Sequence, residues 1–112
     1  MTQDCFQLLD ATFYCQSADG QAKAQGRLEG LKAFLVFAES KAKGHPNRFA
    51  QKELVKKGVL EKRGGLFVFL KDFTFQQPSP AAETVLGRRA NGWKEWKTEN
   101  GQTLGELAGR GQ

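Results

Sequence analysis

The chain has 112 residues, a formal net charge of +5, 39% hydrophobic residues and 26% charged ones. That balance excludes wholesale disorder, and the length suits one small core. No apolar run approaches a membrane span and Met1 to Phe6 lacks the basic-then-apolar plan of a signal peptide, so a cytoplasmic location is expected.

The first segment alternates. Leu9, Ala11, Phe13 and Cys15 fall on one face and Asp10, Thr12, Tyr14 and Gln16 on the other, which predicts a half-buried strand. Along such a strand Cys5 and Cys15, the only two cysteines, lie about 33 Å apart, too far to bridge, so both are expected as reduced thiols. Ser17 to Gly20 supply turn chemistry, and Gln21 to Leu28 read as a second, more polar strand ended by Glu29-Gly30. Ala33 to Ala38 is apolar on both faces, the pattern of a central strand covered from two sides.

A basic loop from Glu39 to Gly44 leads to Pro46, suited to the first turn of a helix that runs to about Lys57 and stops at Gly58. On it Phe49, Ala50 and Leu54 share one arc, while Arg48, Lys52 and Lys56 form a stripe along another. Val59 to Lys62, then Arg63-Gly64-Gly65, then Leu66 to Leu70 read as a hairpin whose second strand is again apolar on both faces. Helix followed by hairpin is also half of a winged helix, but no second helix set completes one. Between Lys41 and Arg63 lie eight basic residues and two acids, a local excess of six, while the rest of the chain is near neutral. Such a field attracts polyanions, although lysine-rich faces also serve solubility.

Pro78 closes an extended stretch, Ser79 is the expected N-cap and Pro80 the first position of a helix that buries Ala81, Ala82, Val85 and Leu86. Glu83 falls near the end that favours an acid, and Gly87 stops the helix. Asn91-Gly92 then reads as a turn before a strand from Trp93 to Lys97, and Asn100-Gly101 as the turn of a C-terminal hairpin. Thr103 to Glu106 has capping-box spacing, which predicts a last helical turn, with 108–112 a frayed tail. With no repeat and no long linker, residues 1–112 form one domain. Its expected class is α+β, a mainly antiparallel twisted sheet packed by two short helices, with a C-terminal hairpin.

Catalytic and metal chemistry lack their usual signatures. His45 is the only histidine, too few with two cysteines for a zinc site, and there is no phosphate loop, nucleophile elbow or zinc-deaminase motif. Glu83, Glu95 and Glu106 have no spacing that fixes an acid pair. The expectation is a protein that is not an enzyme and needs no cofactor or metal. For binding, Lys41, Lys43, Arg48, Lys52 and Lys56 are candidate phosphate contacts, as are Arg88, Arg89, Lys94 and Lys97. Arg88 and Arg89 also follow a helix end, where cations complement the dipole in any case. Trp93 and Trp96, three apart on a strand, point to opposite faces, so Trp93 is expected inside and Trp96 outside as a stacking surface. Asn91 can pair with adenine, but asparagine before glycine is more simply a turn former.

From Ser79 to Leu107 the run Ser-Pro-Ala-Ala-Glu, Val-Leu-Gly-Arg, Ala-Asn-Gly-Trp, Glu-Trp-Lys and Thr-Leu, then Glu-Leu, resembles the numbered domain of unknown function found C-terminal to GIY-YIG nucleases. That motif region spans 59–107. The likeness extends back through Phe13-Tyr14-Cys15 and the Phe34 to Lys43 stretch, where Glu39 stands in place of an expected glycine before Ser40. The helix followed by Asn91-Gly92-Trp93 and Trp96 is more loosely similar to the module associated with restriction enzymes and adenine methylases. The nuclease half is missing, because Tyr14 is the only tyrosine and its two signature tripeptides each need one. These resemblances imply a non-catalytic accessory module that binds nucleic acid, DNA in the first place, linked to restriction, modification or nuclease systems. The alternative is an adaptor that docks a nuclease or other protein partner through an exposed aromatic patch around Trp96.

Overall fold

The computed structural model describes residues 11–30, 33–43 and 49–108. Seven strands form one antiparallel sheet: β1 (Phe13–Gln16), β2 (Lys23–Glu29), β3 (Ala33–Val36), β4 (Lys41–Lys43), β5 (Leu60–Arg63), β6 (Leu66–Phe69) and β7 (Phe73–Phe75). Alternation drives the first two. Phe13, Cys15, Ala24 and Leu28 are buried while Tyr14, Gln16, Lys23, Gln25 and Arg27 are exposed. The order is β5-β6-β4-β2-β3-β7, and Gly26 faces Phe13 on one side and Val36 on the other, so β1 takes the opposite edge of β2 from β3.

Strands β3 and β4 behave as one strand broken by a bulge at residues 38–40. Glu39 has φ 74, its N–H donates to the Phe69 carbonyl at 2.7 Å, and the Asp72 Oδ1 accepts the Ala38 N–H at 2.7 Å. The break forks the sheet: β7 continues beside β3, and the β5–β6 hairpin beside β4.

Four short helices are described: α1 (Phe49–Lys56), α2 (Pro78–Leu86), α3 (Gly92–Glu95) and α4 (Leu104–Leu107). Helix α2 lies across one face of the sheet, touching β1, β2, β3, β4 and β7, and α3 and α4 continue that layer. Between the layers sit Phe13, Phe34, Val36, Ala81, Val85, Trp96 and Leu104, all with no exposed surface. The result is a single α+β domain with its helical layer on one face. Among the described residues no helix is long and apolar enough to cross a membrane.

Several local expectations hold. Gly58 and Gly87 end their helices at φ 77 and 70, the Gly64-Gly65 hairpin forms, and Thr103 and Glu106 make the capping box. Asn100-Gly101 turns the chain between Lys97 and Thr103, which pair as an antiparallel bridge. Arg48, His45 and Pro46 lie outside the described residues, as does Cys5.

Three expectations change. The strand expected from Trp93 is helix α3, because Asn91 acts as an N-cap, its Oδ1 accepting the Trp93 N–H at 3.0 Å. Gly92 serves close approach rather than a turn: a Cβ there would overlap the Pro78 carbonyl and the Ser79 nitrogen. Helix α2 accordingly starts at Pro78, and the Ser79 hydroxyl accepts the Gly92 N–H at 2.9 Å instead of capping α2. Among the described residues, helices cover the apolar strands β3 and β6 on one face only. Leu35 and Val68 remain half-buried on the side away from the helices.

Candidate nucleic-acid interface

In an antiparallel ladder directly opposed residues project from the same face, so register fixes what the uncovered face displays. Lys97 pairs with Tyr14 and Tyr14 with Gln25, which sets those three side chains in a row. A second row runs Gln16, Lys23, Lys41 and Val68. Together with the bulge they shape an open groove of about 720 Å³ lined by Tyr14, Gln16, Lys23, Gln25, Phe37, Glu39, Lys41, Thr98 and Glu99, among others. Tyr14 is 37% exposed, among the most exposed large hydrophobic side chains described.

The charges on this face divide into paired and unpaired. Arg27 is held by Glu29 at 2.8 Å, Lys43 by Asp19 at 2.8 Å and Arg63 by Glu61 at 3.1 Å. Among the described residues Lys23, Lys41 and Lys97 form no ion pair. Asp19 sits well below the usual carboxylate range because the Lys43 ammonium, the Ser17 hydroxyl and the Gln21 N–H all donate to it. Two carboxylates, Glu39 and Glu99, also line the groove. Cys15 lies beneath this face with its thiol pushed up to about 12, by burial first and then by the Glu95 carboxylate. A thiol held in that form is a poor nucleophile.

The expected binding residues separate in space. Lys41 lines the groove and Lys97 projects beside Tyr14, while Lys43 is half-buried and tied to Asp19. Lys52 and Lys56 are exposed on α1, away from the groove lining. Arg88 binds Glu95 at 3.6 Å and the Arg89 carbonyl at 3.0 Å, and Arg89 and Lys94 are exposed near the helical layer.

Trp96 is a correction. It has no exposed surface, its Nε1 donates to the Pro78 carbonyl at 3.1 Å, and its ring centre lies 4.4 Å from that of Phe34. Lys97 points to the open face, so its neighbour Trp96 must point into the core. Trp93 is half-buried against the same core. Trp96 therefore supplies neither the outward stacking surface nor the exposed ring of the docking patch expected of it.

Tyr14, Lys23, Gln25 and Phe37 are the residues that sequence reading left out. For Tyr14, Lys23 and Gln25 the signal was the polar half of the period-two pattern in β1 and β2, and Phe37 belongs to the apolar Ala33 to Ala38 run. Glu39 holds the left-handed conformation that a glycine would take without strain. The neighbouring Ser40 hydroxyl is buried and engaged by the Gln25 backbone, accepting its N–H at 3.1 Å.

A family model described as a domain of unknown function (DUF4357) matches residues 13–108. No curated protein and no solved structure matches the chain.

Proposed function

Because the chain belongs to the DUF4357 family, a domain family of unknown function, we propose its role from geometry: a non-catalytic accessory module that binds nucleic acid, DNA in the first place. The observation that carries this reading is the sheet face that none of the described helices covers, where Tyr14 stands among Lys23, Lys41 and Lys97, none of them ion-paired within the described residues. Free ammonium groups gain from phosphate by releasing its counterions, and an exposed ring offers a stacking partner to any base. The exposed Lys52, Lys56, Arg89 and Lys94 add a wider positive field. The resemblance of the Ser79 to Leu107 segment supports a role beside a nuclease or a restriction or modification enzyme.

The test is a fluorescence-anisotropy titration with labelled DNA, single- and double-stranded, repeated as salt rises from about 50 to about 200 mM. Binding that falls steeply with salt is expected. No binding to either form at the lower salt refutes the proposal as a DNA-binding role.

A further inference from the structure

We infer, resting on the nucleic-acid reading above, that the open sheet face takes a single strand and stacks a base on Tyr14. A duplex shows its full base code only in the major groove, which is entered by a helix or a two-stranded ribbon. The face around Tyr14 offers neither. It is a surface spread over the Lys97 segment, β1, β2 and β4, with Lys97 and Lys41 about 16 Å apart, three strand spacings across and two residues along. An unpaired strand can splay its bases onto such a surface.

The side chains around the ring fit bases better than a continuous phosphate track. Gln25 stands directly opposite Tyr14 and Gln16 lies on the same face, and their amides can both donate to and accept from base edges. Glu39 and Glu99 repel phosphate but accept hydrogen bonds from exocyclic amino groups. Phosphates are left to Lys23, Lys41 and Lys97. Bases facing the sheet and phosphates held at these lysines is the arrangement of a single strand.

The experiment compares, on the full chain, an oligonucleotide of about 12 nucleotides as single-stranded DNA, as single-stranded RNA of the same sequence and as duplex DNA. Either single strand binding more tightly than the duplex is expected, and the two single-strand arms decide between DNA and RNA. Tyr14→Phe keeps the ring and should bind within about twofold of the parent, whereas Tyr14→Ala should weaken single-strand binding about 5- to 150-fold. Tyr14→Leu, which keeps bulk and strand propensity without a π-face, should lose as much, and a urea melt of each variant checks that it is folded. A duplex bound as tightly as the single strands, or folded Ala and Leu variants that bind like the parent, overturns the inference and leaves the nucleic-acid reading standing. Failure of all three nucleic acids to bind overturns both.

Discussion

Replacing Trp96 separates a core residue from a binding residue more sharply than any other substitution. The indole has no exposed surface, donates to the Pro78 carbonyl and lies on Phe34. Removing it to alanine should cost about 3–5 kcal/mol, the usual range for a large buried aromatic. Trp96→Phe keeps a ring against Phe34 but loses the hydrogen bond, about 1 kcal/mol, and leaves space worth about 1 kcal/mol more. Against a total stability of about 5–15 kcal/mol, the Phe variant should fold and the Ala variant should be marginal. In urea the Phe substitution should lower the midpoint by about 1–2 M, followed by circular dichroism or by the fluorescence of the remaining Trp93. At low denaturant it should bind nucleic acid like the parent, because the ring never reaches the surface. A Phe variant with an unchanged midpoint and weakened binding would refute the reasoning.

Gly92→Ala should destabilise by about 3 kcal/mol, since the new methyl meets the fixed backbone of Pro78 and Ser79 rather than a side chain that can swing away; a loss under about 1 kcal/mol in a urea melt counts against that packing. Glu39→Gly should do the opposite of most glycine substitutions and leave stability unchanged or raise it by up to about 1 kcal/mol, because it relieves a left-handed backbone; clear destabilisation would contradict the bulge geometry. In a Cys5→Ser background, Cys15 should resist a disulfide reagent at about pH 8 when folded and react readily in denaturant. Its thiol pKa rises on folding, so its stabilising effect is complete below the unfolded pKa of about 8.5 and is lost as pH climbs towards 12; a Cys15→Ala variant should show a flatter alkaline stability profile, and equal profiles would argue against the shift. Lys23→Gln and Lys41→Gln should each reduce the salt slope of single-strand binding by about 0.7, and an unaltered slope would remove them from the phosphate contacts.

Local chemistry wrote much of this fold into the chain. The alternation in β1 and β2, the glycine stops at Gly58 and Gly87, the Gly64-Gly65 and Asn100-Gly101 turns and the Thr103 capping box depend on residues within a few positions of one another, and each appears where its pattern stands. What the sequence left undecided is which side of each element another element would cover. Asn91-Gly92 has the same composition whether it turns a hairpin or caps a helix, and the choice falls to the Pro78 backbone lying against Gly92, fourteen positions away in the chain. Ala33 to Ala38 and Leu66 to Leu70 are apolar enough for two covered faces, yet among the described residues the helical layer occupies only one. The same non-local choice turned Trp96 inward and made the polar faces of β1 and β2 a groove. Burial is a property of what packs on a residue, so periodicity can name two faces, and only tertiary contact decides which becomes the core and which is left to bind.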